Sequence, residues 1–553
     1  MIIRFLFSKF VDYIQLRKFS RYQKLFKHPL KAQKKSLELI LERTKGCEVR
    51  KKLGISDTIS FEEFRKNCPI TSYEDYEEYT SILFDKELRD DLLNRQKPSY
   101  FIATSGTTSR PKIFPVTDFY REEFQRVFLA WLGRIKQLRP QAFKGKSLYL
   151  ADAAIVGHSP TGIPYGVLSG YNFRKIPKAL REILYCTHEN FYELGDPKKR
   201  DITLLAHALS NEVTNIGTVM PETIIQFLNK FFDYGSEVIE YMERGLPTFD
   251  YPPEFEKSLI LDCPKENIER AKQLLSKNTW NSLHDFFPQL NTIICWKGAT
   301  AKFYFDKIKS YIPQDVLVWD AIYSASEGVF NLPDDPHSLG GPVAIDGNFI
   351  EFRKIEAPES ELLTVDQLRV GEQYEIFCTT SMGLFRYQVN DCIEVTGMRD
   401  RTPIIEFKDK TGLFLNHAME RITISHVCEL IEDLKDRLSL RSEKLFYFTL
   451  CPCEKGDSFH YLLIIETDYD ESVFSEINID ELFFRINPNY KRNVEGGLLA
   501  PMELRILEKG YLKHELQQRE EKGQTMAQFK YSPIEKDPTL AKRLCPCGKT
   551  DHN

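Results

Sequence analysis

The sequence predicts an α/β fold in two parts: a large N-terminal domain with mixed and parallel sheets flanked by helices, and a smaller α+β domain at the C-terminus. From Ser99 onward, short apolar or β-branched runs alternate with helical stretches, which is typical of strands buried on both faces of a largely parallel sheet. A more alternating β pattern follows at 349–396, and near residue 425 the pattern changes to the order α-β-β-α-β-α. These observations predict domains at 1–424 and 425–553.

Local patterns predict the elements of the large domain in chain order. The stretch from 30 to 95 has the spacing of helices joined by short turns. Ser60 and Glu63 have the pattern of a capping box, in which each side chain accepts a hydrogen bond from the backbone N–H of the other residue. The strands expected in the parallel sheet include the runs at 147–151, 290–296 and 315–319.

The predicted C-terminal domain begins with a helix, because five apolar residues recur at helical spacing: Val427, Leu430, Ile431, Leu434 and Leu438. Two strands, a helix, a further strand and a charged helix are expected to follow. We place a hinge near 421–426. The residues after about 540 are expected to form a loose tail, as chain ends often do.

The composition and charge of the chain argue against several classes of protein. The formal net charge of −5 gives no support to a nucleic-acid partner. No run approaches the ~20 apolar residues that cross a bilayer, so we expect no integral membrane segment. Twelve cysteines are too few for a dense disulfide framework in 553 residues, which predicts a reducing, cytoplasmic location.

The charge is nevertheless uneven. Residues 1–55 contain 15 Lys and Arg against 4 Asp and Glu, a local excess of 11 positive charges. The simpler interpretation is the solvated face of basic N-terminal helices. The alternative is a weak contact with a membrane surface or an acidic partner.

A segment rich in hydroxyl side chains lies at 104–112, between the apolar runs 100–103 and 113–117. Glycine lets a backbone approach phosphates closely, successive N–H groups can form an anion site, and a lysine adds positive charge. The residues of these types are Ser105, Gly106, Thr107, Thr108 and Lys112. The alternative is a polar turn between two strands, because Ser, Thr and Gly are frequent in turns.

The order of residues in this segment resembles the phosphate-binding loop of adenylate-forming enzymes, Ser/Thr-Ser-Gly-Thr-Thr-Gly-x-Pro-Lys. Two later stretches, Ala-Ile-Tyr-Ser-Ala-Ser-Glu-Gly at 321–328 and Gly-Leu-Phe-Arg-Tyr-Gln-Val-Asn-Asp at 383–391, resemble motifs of the acyl-acid amido synthetases. This is the auxin-responsive-promoter family of plants, which is also found in bacteria. The flanks 69–76 and 523–530 are similar to the same family.

The resemblance implies ATP and Mg²⁺ as cofactors and a mobile C-terminal domain. Glu327 follows a predicted strand, where ligands gather in open α/β sheets, and is expected to hold Mg²⁺. Asp391 is expected to accept hydrogen bonds from a ribose diol. Lys112 and Lys530 are expected to act in catalysis, Lys530 by approaching the adenylate from the small domain. The other residues expected at the nucleotide are Tyr323, Ser326 and Tyr387.

Each of these assignments has a simpler alternative. Glu327 could be an exposed loop glutamate, Tyr323 a core aromatic and Asp391 a turn residue. Lys530 could be one surface lysine among many.

The chain also departs from the family motifs. Ser109 stands where glycine is usual and tolerates positive φ poorly, whereas Asn390, also in a glycine position, tolerates it well. The crossover segment 415–421 matches only loosely, which leaves the roles of Glu420 and Arg421 open.

The predicted function is an ATP-dependent amido synthetase. It would adenylate a small carboxylic acid, release pyrophosphate, and transfer the acyl group to the amine of an amino acid. One alternative is an adenylate-forming ligase whose acceptor is coenzyme A or a carrier thiol. A second alternative is a nucleotide-binding interaction protein without turnover.

Two Cys-Pro-Cys pairs raise a zinc hypothesis. The pairs are Cys451 with Cys453 and Cys545 with Cys547, and His552 could add a ligand. Structural zinc sites normally have two to four residues between paired cysteines, so reduced thiols are the expectation. Three further cysteines are expected in apolar strands: Cys295, Cys378 and Cys392.

Overall fold

The computed structural model describes residues 2–103, 112–151, 153–299, 301–411, 414–455, 458–510 and 532–536, with side chains from Tyr13 onward except at 454, 455 and 458. The chain forms two compact units. The first comprises 1–297, 308–389 and 393–407, and the second comprises 298–307, 390–392 and 408–553. Residues 408–424 therefore group with the C-terminal part, while the predicted hinge near 421–426 stays a prediction.

The helices are α1 (Ile2–Leu25), α2 (Pro29–Arg43), α3 (Glu48–Lys52), α4 (Phe61–Asn67), α5 (Glu77–Ser81), α6 (Asp118–Leu138), α7 (Leu168–Arg174), α8 (Lys178–Leu184), α9 (Glu189–Tyr192), α10 (Pro197–Ser210), α11 (Glu222–Arg244), α12 (Glu256–Leu259), α13 (Lys265–Lys277), α14 (Leu283–Phe286), α15 (Ala301–Lys309), α16 (Ile424–Leu438), α17 (Ile479–Ile486) and α18 (Pro488–Glu495).

The strands are β1 (Tyr100–Ala103), β2 (Ile113–Val116), β3 (Lys146–Leu150), β4 (Gly157–His158), β5 (Pro164–Gly166), β6 (Val213–Thr218), β7 (Thr292–Cys295), β8 (Leu317–Asp320), β9 (Gly341–Pro342), β10 (Phe349–Lys354), β11 (Gln373–Thr379), β12 (Tyr387–Arg399), β13 (Thr402–Lys410), β14 (Phe414–Leu415), β15 (Ile422–Thr423), β16 (Leu445–Lys455), β17 (Ser458–Thr467) and β18 (Glu503–Leu507).

The N-terminal helices pack closely against the rest of the first unit. The capping box of α4 is confirmed, because the Glu63 N–H donates to Ser60 Oγ at 3.3 Å and the Ser60 N–H donates to Glu63 Oε2 at 2.9 Å. Helix α1 lies against α6 at Gly133, where an added Cβ would be 2.1 Å from the Gln15 carbonyl oxygen. Glycine at this position therefore allows the two helix backbones to approach.

The centre of the first unit is a four-stranded parallel sheet in the order β3-β6-β7-β8. The predicted strands at 147–151, 290–296 and 315–319 correspond to β3, β7 and β8, which confirms the predicted α/β architecture. Each strand contributes at least one almost fully buried apolar side chain: Leu148, Ile216, Ile293 and Trp319. Strand β6 is buried at all six positions although it includes Thr214, Asn215 and Thr218.

A second sheet has the order β10-β11-β12-β13-β9, in which β10 pairs antiparallel with β11 and β13 pairs antiparallel with β9. A buried ion pair stabilises its centre: the Arg386 guanidinium donates to both carboxylate oxygens of Glu351 at 2.7 and 2.8 Å. The same guanidinium donates to the carbonyls of Arg65 and Cys68, so the charge is satisfied without water. This joins the start of β12 to helix α4.

The second unit contains a three-stranded sheet in the order β16-β17-β18, with β16 and β17 antiparallel and β17 and β18 parallel. Its elements follow the predicted order from α16 to β18, except that two helices, α17 and α18, stand where one was predicted. The predicted stripe of α16 is buried at four positions and half-buried at Leu438. The charged helix and the tail predicted after β18 lie largely outside the described residues.

The crossover segment before α16 is held to the second unit through Glu420. This buried carboxylate accepts hydrogen bonds from the backbone N–H groups of His417 and Ala418, and from the side chains of Tyr461 and Asn493. Glu420 therefore has a structural role in the fold. None of the helices among the described residues is long and apolar enough to cross a membrane.

Candidate active site

The hydroxyl-rich segment is bounded by a β-hairpin. Strand β1 pairs antiparallel with β2, and Ala103 lies opposite Ile113. Segment 104–111, which includes Ser105, Gly106, Thr107, Thr108 and Ser109, lies outside the described residues. The structure thus fixes where the segment leaves and re-enters the sheet.

Lys112 stands at the exit of this segment. Its ammonium nitrogen is 5.4 Å from the centroid of the Tyr73 ring, and the Tyr73 hydroxyl accepts a hydrogen bond from the Ile113 N–H at 2.8 Å. A hydrogen bond from Ser72 lowers the pKa of Glu74, and the positive charge of Lys112 lowers it further. Lys112 is therefore a half-buried cation with an aromatic and an acidic neighbour.

Glu327 and Ser326 occupy the tip of a tight turn that follows β8. The Ala325 N–H donates to the Gly328 carbonyl at 2.9 Å and the Gly328 N–H donates back at 3.3 Å, so these two residues close a two-residue hairpin. A Cβ on Gly328 would lie 2.0 Å from Asn348 Nδ2, so a larger residue would push the turn away. The turn therefore presents Glu327 in a defined place beyond the carboxyl end of the parallel sheet.

Two buried phenols lie within electrostatic range of Glu327. Burial raises the pKa of Tyr120 and of Tyr387, and the negative charge of Glu327 is the next largest cause for both. The Tyr120 hydroxyl also donates to the Ser326 carbonyl at 3.3 Å, which ties the turn to helix α6. Nothing in the sequence singled out Tyr120, whose partner is 206 residues away in the chain.

The two tyrosines predicted at the nucleotide pack as core residues. Tyr323 is 9% exposed, and its ring centroid lies 5.0 Å from that of Phe330 and 5.4 Å from that of Phe407. Tyr387 is 1% exposed and contacts Tyr76 and Phe114. These contacts favour the core alternative for Tyr323 and place Tyr387 among aromatic side chains, and the roles of both tyrosines at the nucleotide stay predictions.

Asp391 lies four residues after Tyr387 in β12, within the part of the strand that groups with the second unit. It is buried and forms an ion pair with Lys410, a lysine that the sequence did not single out. The preceding Asn390 has φ of 61°, as expected for an asparagine in a glycine position. Lys530 lies outside the described residues.

Glu123 is a further buried carboxylate, on the same helix as Tyr120. It accepts hydrogen bonds from the backbone N–H and the hydroxyl of Ser381. Burial raises the pKa of Glu123 to about 7, against the lowering effect of Ser381. It interrupts the buried apolar stripe formed by Phe124, Val127 and Trp131, and that break in the pattern could have revealed it from the sequence.

The cysteines show no metal-binding arrangement among the described residues, where no group of three His, Cys, Asp or Glu side chains could hold an ion. Cys451 is buried and donates to the Leu462 carbonyl, and Cys453 lies opposite His460 in the hairpin. Cys545, Cys547 and His552 are outside the described residues, so their part of the zinc hypothesis stays untested. The cysteines predicted in apolar strands are buried: Cys295, Cys378 and Cys392.

Three family models match consecutive parts of the chain. They are the GH3 family N-terminal domain at residues 18–317, the GH3 family central domain at 342–410 and the GH3 family C-terminal domain at 426–539. Among curated proteins, the chain is 22% identical to jasmonoyl–L-amino acid synthetase JAR4 of Nicotiana attenuata, over 92% of each chain. It is 20% identical to indole-3-acetic acid-amido synthetase GH3.3 of Arabidopsis thaliana, over 90% of this chain and 88% of that one.

Solved structures show the same fold. The GH3.15 acyl acid amido synthetase has a TM-score of 0.82 with 18% identity, and the match covers 95% of each chain. A 2-hydroxyisobutyryl-CoA ligase in the postadenylation state has a TM-score of 0.51 with 13% identity, over 93% of this chain and 90% of that one.

The fold, with its α/β first unit and smaller α+β second unit, is that of the solved acyl acid amido synthetase GH3.15. The chain belongs to the GH3 family. The predicted resemblance to the acyl-acid amido synthetases is thereby confirmed.

The raised pKa of Glu123 predicts a pH-dependent stability. A glutamate in an unfolded chain titrates near pH 4.3, and Glu123 in the folded protein titrates at about 7. Its contribution is therefore fully present below the unfolded pKa and is lost as the pH rises through about 7. Relative to Glu123→Gln, which keeps an acceptor for Ser381, the wild type should lose up to about 3 kcal/mol of unfolding free energy between about pH 4 and pH 8.

Chemical unfolding over a pH series measures this difference. Glu359→Gln, at an exposed glutamate of the same unit, serves as the reference and should follow the wild type. Parallel pH profiles for the wild type and Glu123→Gln would contradict the assignment.

Proposed function

We propose that this protein activates a small carboxylic acid as its acyl-adenylate and then transfers the acyl group to the amine of an amino acid. The observation that supports it most is the position of Glu327, at the tip of a fixed turn beyond the carboxyl end of the parallel sheet. Ligands gather at this edge in open α/β folds. Membership of the GH3 family is consistent with that chemistry.

In the first step, a carboxylate oxygen of the acid bonds to the α-phosphorus of ATP and the bond to pyrophosphate breaks. Segment 105–108 and Lys112 would hold the polyphosphate, and Asp391 would accept hydrogen bonds from the ribose. The residues present suit a magnesium ion, because Glu327 offers a hard oxygen ligand, and the ion would neutralise phosphate oxygens there. Neutralising charge at fixed positions is the main catalytic contribution in such a site.

In the second step, the amine nitrogen attacks the acyl carbon, AMP leaves, and the nitrogen loses a proton. The names of the relatives support an amine acceptor, since one is a jasmonoyl–L-amino acid synthetase and another is an indole-3-acetic acid-amido synthetase. We further propose that the C-terminal domain is mobile and brings Lys530 to the adenylate during the first step. The buried free thiols suit a reducing cytoplasm.

Coenzyme A is the second candidate acceptor. The observation that favours it is the likeness in fold to a CoA ligase, although at 13% identity this likeness concerns the fold alone.

Replacing Glu327 tests the adenylation step. Glu327→Gln keeps the shape of the side chain but removes its charge, so ATP–pyrophosphate exchange should fall about 100- to 1000-fold with the best acid of an aryl, indole and fatty acid panel. Lys112→Ala should slow the same exchange roughly tenfold. Glu359→Gln should keep wild-type exchange, and full activity of Glu327→Gln would refute the metal assignment.

The acceptor is tested by product analysis. With enzyme, acid and ATP, an amino acid pool should yield an amide, and coenzyme A should yield no thioester. Mass spectrometry of both mixtures separates the two outcomes. Thioester without amide would establish the second candidate, and no exchange with any acid would favour a non-catalytic nucleotide-binding protein.

A basic face of α1 and α2 supports a further proposal, a weak contact with anionic lipid. Partial burial raises the pKa of Asp346, and the positive charges of the exposed Lys18, Arg21 and Lys35 each oppose that rise, so the three side chains lie near this one carboxylate. Juxtamembrane basic residues each contribute about 1 kcal/mol at an anionic surface.

Vesicle sedimentation tests this contact. Binding to phosphatidylserine vesicles should exceed binding to phosphatidylcholine vesicles and should weaken with salt. The triple variant Lys18→Glu, Arg21→Glu, Lys35→Glu should lose it. A control with the same charge change at exposed sites is Lys257→Glu, Lys265→Glu, Lys277→Glu. Equal binding to both vesicle types would refute the lipid contact and leave an acidic protein partner.

A further inference from the structure

Segment 321–340 carries the turn with Glu327 and connects β8 to β9. A connection of this length without regular helix or long strand needs other interactions to give it one conformation. Two buried charged side chains at the carboxyl ends of β7 and β8, Lys297 and Asp320, contact this segment. The function proposed above assigns neither of them a role.

The Asp320 carboxylate joins the two ends of the segment. Its Oδ2 accepts a hydrogen bond from the Gly340 N–H at 2.7 Å, and its Oδ1 accepts one from the Lys297 N–H at 3.1 Å. Gly340 has φ of 67°, and a Cβ there would lie 2.2 Å from the Ile405 carbonyl oxygen, so only glycine brings this amide to the carboxylate.

The Lys297 ammonium binds the later part of the segment. Its Nζ donates to the carbonyls of Pro336 at 3.0 Å, Ser338 at 3.3 Å and Val318 at 3.4 Å. Three donors meet three acceptors, so the buried ammonium is satisfied by backbone alone. One of these carbonyls belongs to β8, and the side chain thereby ties the segment to the sheet.

Two indoles add neutral hydrogen bonds to the same segment. Trp296 Nε1 donates to the Ile322 carbonyl at 3.2 Å, next to the turn, and Trp319 Nε1 donates to the Pro333 carbonyl at 3.1 Å. Two pairs of adjacent side chains at the ends of β7 and β8, Trp296 with Lys297 and Trp319 with Asp320, thus hold the segment at five backbone positions. Lys297 and Asp320 form the stronger hydrogen bonds, because a hydrogen bond that involves an ionised group is about twice as strong as one between neutral groups.

We propose that Asp320 and Lys297 are positioning residues for adenylation: by holding both ends of segment 321–340, they set the place of Glu327 before substrate and metal arrive. The inference rests on the proposed function. It also explains why two charged side chains are buried at this edge, where each would be costly without complete hydrogen bonding.

The variant Lys297→Met keeps the apolar stem and removes the three donors, and Asp320→Asn removes the charge. In both, the Mg²⁺ concentration for half-maximal exchange should rise about tenfold and kcat should fall roughly 10- to 100-fold. The KM for the acyl acid should stay within about twofold, because neither substitution removes a contact that binds the acid in its ground state. Lys297→Arg, which keeps the charge and donors, should restore part of the Mg²⁺ response.

Amide hydrogen exchange provides a readout that does not depend on activity. Segment 321–340 should exchange roughly tenfold or more faster in both variants, because bonds to charged groups are lost. The control is Lys307→Met, at a buried lysine that donates to the Phe446 carbonyl in the second unit and should leave exchange in 321–340 unchanged.

The outcomes separate the two proposals. Local exchange that is unchanged in both variants, or a fall in kcat with an unchanged Mg²⁺ midpoint, would overturn the positioning role. If the wild type activates no acid, the proposed function fails, and hydrogen exchange alone then decides whether the two side chains hold the segment.

Discussion

The hydrogen bonds that the backbone N–H groups of Lys297 and Gly340 donate to the Asp320 carboxylate are the constraint on which the rest of the candidate site depends. A parallel sheet ends in free backbone groups, and a chain that leaves it would be mobile without partners. Here the last residue of β8, Asp320, supplies the carboxylate, and the last residue before β9, Gly340, donates its N–H to it. The turn with Glu327 lies inside the loop that this contact closes, so its position follows from the sheet.

Negative charge accumulates around this turn, and the structure accommodates it in different ways. Glu327 has buried phenols near it, which remain neutral because burial and its charge both oppose their ionisation. Glu123 on the neighbouring helix turn accepts two hydrogen bonds from Ser381.

Features with local causes were predictable from the sequence. The capping box of α4 depends on two residues three positions apart, and the left-handed conformation of Asn390 depends on one. Three of the four strands of the parallel sheet followed from short apolar runs, whereas β6, with Thr214, Asn215 and Thr218, has no such run. Helix α16 at the start of the C-terminal part was predictable in the same way, from its stripe of apolar residues at helical spacing.

Features with distant partners were not predictable in this way. Tyr120 contacts a residue 206 positions away, and Glu123 contacts one 258 positions away, so no spacing rule connects them. Nothing in the sequence distinguishes Lys410 from other lysines, and only the pairing of β12 with β13 brings it beside Asp391. The sequence located the motifs of the site, but the side chains that hold those motifs in place required the fold.

The second unit includes residues 298–307 from the middle of the chain, and this has a consequence for biosynthesis. Phe303 on α15 packs edge-on against Phe448, with ring centroids 4.8 Å apart. Because a ribosome delivers the chain from its N-terminus, Phe303 emerges well over a hundred residues before its partner. Nascent chains of intermediate length therefore expose this apolar helix face, and a fragment that starts after β13 would be made without α15, so that Phe448 would lose its partner.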